Sequence, residues 1–179
     1  FGGPLRVKPD ANWGVIGLGV VGTEVARKLT ASGSSVEIAD VRTPRSGILA
    51  ELNVRRQSLD LLLTGSDVVT LHVPAGPTAS PLISERELNL MKPGAVLINT
   101  SHSSIVDEQA VIDALLDGSL GGYATDHPGQ LILQASLDEG SSLKSSGNLF
   151  ITQNPLINQV GAAQQIAKYV VANVEAFSE

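Results

Sequence analysis

The sequence predicts an α/β fold, a doubly wound parallel sheet with helices on both faces, in a single domain over residues 1–179. Three observations support this prediction. Short apolar runs alternate with segments of helical periodicity. The runs are continuously apolar, as in strands that are covered on both faces. A glycine-rich turn also joins the first apolar run to the first helical segment.

The elements follow one another in regular alternation. Strands are expected at residues 13–18, 36–40, 68–73 and 96–99, and helices at residues 20–32, 48–52, 84–91 and 107–116. Ser84 and Glu87 have the spacing of a capping box, and Asp107 is a suitable N-cap for the helix that follows it. Gly118 comes just after that helix, where a left-handed residue commonly ends it.

The last third of the chain is less regular. Two further strands are expected at residues 123–126 and 149–152, and an amphipathic helix closes the chain at about residues 162–177. Residues 127–148 lie between those strands and are rich in Ser and Gly. They form the longest segment without a helical or strand pattern, so the sequence predicts a long irregular loop of the kind that is usually functional or mobile.

Composition excludes several classes of function. The chain has 18 acidic and 12 basic residues, a net charge of -6 and no cluster of basic residues, so neither nucleic acid nor an anionic membrane is an expected partner. It has no Cys, which excludes disulfides and thiolate chemistry. The 3 His have no carboxylate at ligand spacing, so no metal site is expected. Without a spanning apolar stretch or a signal-peptide pattern, the expected location is the cytoplasm.

The glycine-rich turn has the spacing of a dinucleotide-binding loop. Gly17, Gly19 and Gly22 follow the first strand and open the first helix. In such a Rossmann motif the first glycine permits a tight turn, the second lets the backbone approach a pyrophosphate, and the third allows close packing. The amides of Val20 and Val21 would then face the phosphates at the positive end of the helix. A turn with close packing and no ligand is the alternative interpretation of the triplet.

Asp40 ends the second strand and favours the dinucleotide interpretation. It lies 18 residues beyond Gly22, near the spacing at which an acidic residue accepts hydrogen bonds from the adenosine ribose. Its carboxylate would repel a 2′-phosphate, so NAD is the expected cofactor, in preference to NADP. Val41 and Arg42 follow directly and are assigned to the same cofactor site. Arg42 and Arg45 weaken the preference for NAD, unless they are solvated loop charges.

Several segments in the right order resemble one family. These are "VIGLGVVGTEVARKL", "SDVVTLHVP", "LMKPGAVLIN" and "VDEQAVIDALLDGSLGG". They resemble the D-isomer-specific 2-hydroxyacid dehydrogenases, and the likeness extends over nearly the whole chain. It concerns the nucleotide-binding domain of that family, since the N-terminal half of the family's substrate domain has no counterpart in the sequence. The resemblance implies hydride transfer between NAD and a 2-hydroxy or 2-oxo acid, and a homodimer formed largely through this domain.

The resemblance also shows where the sequence departs from the family. Members use an Arg to hold the substrate, a His as acid/base and a Glu to orient that His. At the matching positions this chain has His102, Asn154 and Leu131. Asn154 cannot exchange a proton near neutral pH, and Leu131 cannot orient an imidazole. The family's mechanism is therefore not expected from these residues, and His102 is the one candidate for a replacement acid/base, the alternative being an ordinary loop histidine.

Positions on the cofactor side match the family better. The resemblance implies that Asp126 bonds the nicotinamide carboxamide and that Thr100, Ser101 and His102 form the loop beneath the nicotinamide. It further implies a loop beside the adenosine half of the cofactor. That loop consists of His72, Val73 and Pro74. Gly76 and Ala79 replace threonines that are usual there.

Two functional hypotheses follow from the sequence. The first is an oxidoreductase domain that holds NAD, with acid/base groups supplied by His102, by a missing domain or by a partner chain. The second is a non-catalytic module that senses NAD or acts as a scaffold. A homodimer is expected in either case, because Leu131, Ile132 and Leu133 would otherwise form an exposed apolar patch.

Overall fold

A computed structural model describes residues 7–8, 10–75, 80–138, 143 and 147–152. The strands are β1 (Asn12–Ile16), β2 (Ser35–Ala39), β3 (Arg55–Arg56), β4 (Val68–Leu71), β5 (Ala95–Asn99), β6 (Leu120–Thr125) and β7 (Leu149–Ile151). The helices are α1 (Val20–Ala31), α2 (Ile48–Leu52), α3 (Leu59–Gly65), α4 (Glu85–Leu90), α5 (Glu108–Asp117) and α6 (Gln130–Leu137). A short 3-10 turn covers Ser103–Ile105.

Within these residues the strands form one parallel sheet in the order β3-β2-β1-β4-β5-β6-β7. Apolar cores lie on both of its faces, because successive residues of a strand point in opposite directions. Val15 belongs to one core with residues of α1 and α2, whereas its neighbour Ile16 belongs to a second core with residues of α3, α4, α5 and α6. The predicted doubly wound α/β fold is therefore confirmed.

Local signals in the sequence set several helix ends. Ser84 and Glu87 form the predicted capping box at the start of α4. The side chain of Asp107 accepts hydrogen bonds from the amides of Gln109 and Ala110 at the start of α5. Gly118 follows α5 with φ +80°, a conformation that favours glycine, as predicted.

Two elements between β2 and β4 were not predicted. β3 contains two residues, too few to form an apolar pattern. α3 begins after Ser58, whose side chain accepts a hydrogen bond from the amide of Leu61. The leucine run of α3 is continuous and lacks a clear helical period. The feature that could have predicted this helix is therefore its N-cap residue, Ser58.

The prediction of an irregular loop over residues 127–148 was wrong for its central part, where α6 runs from Gln130 to Leu137. Ile132 is fully buried under the sheet, while Leu131, Leu133 and Leu137 are 43%, 42% and 71% exposed. The expected patch at residues 131–133 is therefore interrupted, because one of its three residues belongs to the core. The predicted helix at about residues 162–177 lies outside the described residues, as do Gly76, Ala79 and Asn154.

The strand order reverses between β1 and β4, where the chain crosses from one half of the sheet to the other. Connections leave β1 and β4 in opposite directions at this point, which opens a crevice outside the carboxyl ends of the strands. The turn after β1, the residues that follow β2 and the loops after β4, β5 and β6 meet along this edge. Every candidate cofactor residue within the described part of the chain belongs to one of these segments or to the first turn of α1.

Candidate functional site

The glycine loop has the shape that a dinucleotide requires. Gly17 has φ +94°, and a Cβ there would collide with the backbone carbonyl of His72. A Cβ at Gly22 would collide with the carbonyl oxygen of Gly17. At Gly19, the N-cap of α1, a Cβ would meet nothing within 4 Å. Gly17 and Gly22 thus build the loop, whereas Gly19 leaves open space in front of the first amides of α1, which include those of Val20 and Val21.

Asp40 stabilises the same loop from the end of β2. Its side chain is only 7% exposed. The amide of Leu18 donates to Oδ2 at 2.7 Å, and the amide of Arg42 donates to Oδ1 at 2.7 Å. Burial acts to raise the pKa of Asp40, but these amide hydrogen bonds and the nearby Arg42 outweigh it and lower the pKa below its ordinary value. Asp40 is therefore an anion with remaining acceptor capacity for ribose hydroxyl groups.

The arginines beyond β2 already have acceptors. The Nε of Arg42 lies 3.6 Å from Oδ1 of Asp40. Arg45 donates to Glu51 at 2.5 Å, and Arg56 donates to the carbonyl of Asp40 at 2.7 Å. An added 2′-phosphate would compete with these acceptors and face the Asp40 carboxylate. Val41 is 99% exposed beside them, where an apolar side chain could cover one face of an adenine.

His72 joins the ends of β4 and β5 under the glycine loop. Its Nε2 lies 3.0 Å from the hydroxyl of Thr70, and its Nδ1 lies 3.1 Å from the hydroxyl of Thr100. Burial lowers the pKa of His72 to about 4, so the ring is neutral at physiological pH. Both ring nitrogens have partners, so any contact that His72 makes with a cofactor would come from its backbone.

The loop after β5 is fixed by hydroxyl and amide groups. The hydroxyl of Ser101 donates to the carbonyl of Leu71 at 3.0 Å and accepts from the amide of Val73 at 3.0 Å. The fully buried Asn99 accepts from the amide of Ser101 at 2.9 Å and donates to the carbonyl of His102 at 3.2 Å. These bonds hold the loops after β4 and β5 against each other at the carboxyl edge.

His102 is exposed and caps the 3-10 turn that follows it. The amide of Ser104 donates to its Nδ1 at 3.2 Å, and the hydroxyl of Ser104 lies 2.9 Å from the same atom. The ring of His102 contacts the ring of His127, with 4.9 Å between ring centroids and 40° between planes. The sequence did not predict this contact.

The segment after β6 completes this part of the edge. Asp126 is partly buried, and burial raises its pKa although the neighbouring His127 opposes the rise. Oε1 of Glu108, on α5, accepts from the amide of Gly129 at 2.6 Å, and Oε2 accepts from the amide of Leu131 at 3.1 Å. A Cβ at Gly129 would come too close to this carboxylate, so the Glu108 side chain would have to move to accommodate one.

The roles of Asn99, Glu108 and His127 were not predicted from the sequence. Asn99 had a usable signal, since a polar residue at the end of a buried strand needs buried partners. Glu108 had none, because its amide partners lie 21 and 23 residues further along the chain. The contact of His127 with His102 depends on the register in which Asn99 pairs with Thr125 across β5 and β6.

Two kinds of feature are absent from the described residues. No group of three or more His, Cys, Asp or Glu side chains among them is placed to hold a metal ion. No helix in the described part of the chain is both long and apolar enough to cross a membrane.

Comparison with known families shows which kind of domain carries this edge. The family model for the NAD-binding domain of D-isomer specific 2-hydroxyacid dehydrogenases matches residues 7–153. The chain belongs to this family. The glycine loop and Asp40 are therefore parts of an NAD-binding domain, and NAD is its cofactor.

Two curated dehydrogenases illustrate the relationship. Glycerate dehydrogenase of Methylorubrum extorquens is 36% identical over 179 residues, which cover 99% of this chain and 53% of that protein. A putative 2-hydroxyacid dehydrogenase of Haemophilus influenzae is 33% identical and is matched over 99% of this chain and 55% of its own length. The chain thus spans about half the length of these relatives.

Solved structures agree with this assignment. D-lactate dehydrogenase from Aquifex aeolicus, in complex with NAD and lactic acid, superposes with a TM-score of 0.70 at 30% identity, over 96% of this chain and 54% of that chain. A Granulicella formate dehydrogenase superposes with a TM-score of 0.72 over 97% of this chain and 43% of its own, but at 20% identity it supports the fold alone. The oxidoreductase lineage of the first functional hypothesis is confirmed, and these relatives give no support to the non-catalytic alternative.

Proposed function

We propose that this chain holds NAD for hydride transfer to or from a small 2-hydroxy or 2-oxo acid. The observation that carries the proposal is the glycine loop at the sheet's switch point, with open space at Gly19 and the anionic Asp40 beside it. The nicotinamide ring of a bound cofactor would supply or accept the hydride. The amides at the start of α1 would hold the pyrophosphate, and Asp40 would hold the adenosine ribose.

The loops after β5 and β6 would form the nicotinamide end of the site. Thr100 and Ser101 are fixed to the end of β4, so they offer a rigid floor. Asp126 follows β6 at the same edge, where its carboxyl group could accept from the carboxamide. Leu131 lies in α6, with its side chain 43% exposed, and cannot orient an imidazole. Groups that move the substrate's proton would therefore come from His102 or from outside the described residues.

Substitutions at two glycines test the cofactor site. Gly19→Ala should leave the melting temperature unchanged, because its Cβ would enter open space, but should weaken NADH binding by about tenfold or more, because the Cβ would occupy the phosphate's approach. Gly22→Ala is the matched comparison and should lower the melting temperature, since its Cβ would meet the carbonyl of Gly17. Calorimetry that finds equal NADH affinity for Gly19→Ala and the parent chain would refute the phosphate site.

We further propose that the chain forms a homodimer through α6. Leu131, Leu133 and Leu137 are exposed on this helix, and burial of such apolar side chains is a common basis of association. Light scattering of the chain at tens of micromolar, about the range in which weak interfaces associate, would test this proposal. The cytoplasmic location stays a prediction, to be tested by fractionating cells with an antibody to the chain.

A further inference from the structure

Two exposed imidazoles meet at the loops after β5 and β6, where the nicotinamide end of the site is proposed. His102 follows β5 and His127 follows β6, and their ring centroids are 4.9 Å apart. Strands β5 and β6 are direct neighbours in the sheet, so both rings stand outside the same pair of carboxyl ends. Ligands of open parallel sheets bind in this region.

The proton of one ring is placed by the backbone. Because the amide of Ser104 donates to Nδ1 of His102, that nitrogen must act as an acceptor. A neutral imidazole in this bond carries its proton on Nε2 and presents an N–H donor on the side away from the turn. The cap therefore fixes both the tautomer and the orientation of His102.

The second ring is carried by a segment that is held at two points. The amide of His127 donates to the hydroxyl of Thr125 at 3.1 Å. Two residues later, the carboxylate of Glu108 accepts from the amides of Gly129 and Leu131. Glu108 therefore fixes the backbone that follows His127 to the start of α5.

The charges around the pair limit what it can bind. Glu108 directs both carboxylate oxygens to backbone amides, which offsets its charge at the start of α6. Asp126 lies next to His127 in the chain and interacts electrostatically with it. A ligand at the rings therefore meets imidazole N–H donors and one nearby carboxylate, an environment that suits one negative charge better than two.

We propose that His102 and His127 together bind the carboxylate of a small monoanionic 2-oxo or 2-hydroxy acid and discriminate against dianions. Two adjacent imidazoles can offer one N–H to each oxygen of a carboxylate, which gives the ligand a fixed orientation beside the nicotinamide end. This inference rests on the proposed function, since it places the acid against a bound cofactor. It concerns binding and requires no proton transfer by either ring.

Oxamate and oxalate are the probes for this pair. Both are planar and of similar size, but oxamate carries one charge and oxalate two. Each is titrated into the 179-residue chain saturated with NADH, and binding is followed by calorimetry and by the fluorescence of bound NADH. Oxamate is expected to bind more tightly than oxalate. The NADH titration that precedes these experiments tests the proposed function by itself.

Variants then assign the binding to the two rings. His127→Ala and His102→Asn should each weaken oxamate binding by about tenfold or more, the usual effect of losing a hydrogen bond to a charged group. Asn at position 102 can still cap the turn but is too short to replace Nε2. The melting temperature should stay unchanged, because both rings are exposed, and each variant is titrated with NADH first so that oxamate binding is compared at full cofactor saturation. Gln130→Ala, at the exposed start of α6, is the matched control and should bind oxamate normally.

The outcomes separate the two proposals. If NADH binds but oxamate does not, or if both histidine variants bind oxamate as the parent chain does, the two-histidine site is refuted and the cofactor proposal stands. Tighter binding of oxalate would refute the discrimination by charge. Failure of NADH itself to bind would overturn the proposed function and this inference with it.

Discussion

Lowering the pH from about 7.5 to about 5 should destabilise the fold through His72. Burial lowers the pKa of this histidine from an ordinary 6.5 to about 4. Between these values the unfolded chain takes up a proton that the folded chain does not, so the free energy of unfolding falls as the pH falls. The contribution of His72 is complete above pH 6.5 and is lost by about pH 4.

The size of the effect follows from the shift. A difference of about 2.5 pH units corresponds to about 3 kcal/mol over the whole range, and about 2 kcal/mol of it should be lost by about pH 5. These values are upper limits, because the residue as a whole keeps some exposed surface although both ring nitrogens face threonine hydroxyls. For a protein with an unfolding free energy of about 5–15 kcal/mol, such a loss is readily measured.

Urea denaturation of the parent chain and of His72→Asn at several pH values gives the test. Asn can keep a hydrogen bond to Thr100 but has no titrating group, so the variant should be less stable by about 1 kcal/mol at pH 7.5 and should lose less stability on acidification. His102 and His127 are present in both proteins and cancel in the comparison. Parallel pH profiles for the two proteins would show that His72 is not responsible for the acid sensitivity.

Three further outcomes are expected. NADH should bind at least about tenfold more tightly than NADPH, and Asp40→Asn should reduce this ratio of affinities. Calorimetry with both cofactors measures the ratio, and tighter binding of NADPH would refute the role of Asp40. The chain alone should not reduce glyoxylate, pyruvate or hydroxypyruvate above background in an absorbance assay, whereas turnover at about 1 per second that His102→Ala abolishes would establish a relocated catalytic centre. Leu137→Glu should shift the chain from dimer to monomer in light scattering, and an unchanged mass would exclude that face of α6 from the interface.

The sequence predicted those parts of the site that depend on residues close to one another in the chain. The glycine loop lies within six consecutive residues, and Gly17, Gly22 and Asp40 have the conformations and contacts that the motif requires. The tight turn at Gly17, the close packing at Gly22 and the hydrogen bond of Asp40 to the loop explain why the motif has these residues at this spacing. Strand β5 and the cap at Asp107 were predictable for the same reason, since each depends on a few neighbouring residues.

Elements that depend on distant residues could not be predicted in this way. α6 starts at a glycine without a side-chain cap, and its first amides bind Glu108 of another helix. The start of β6 was missed because its Gly121 and Gly122 read as a turn. In the structure a Cβ at Gly121 would collide with the backbone of Gly94, so the glycine marks close packing between β6 and the turn before β5.

The two-residue strand β3 has a consequence for how the sheet ends. It forms one border of the sheet, and both of its side chains, Arg55 and Arg56, are exposed. Arg56 also turns a guanidinium nitrogen onto the carbonyl oxygens of Asp40 and Arg42. A border that is short and positively charged offers a poor template for a further strand, so aggregation by strand addition is blocked on this side. The same arginine that holds the turn after β2 thereby disfavours misassembly through the sheet border.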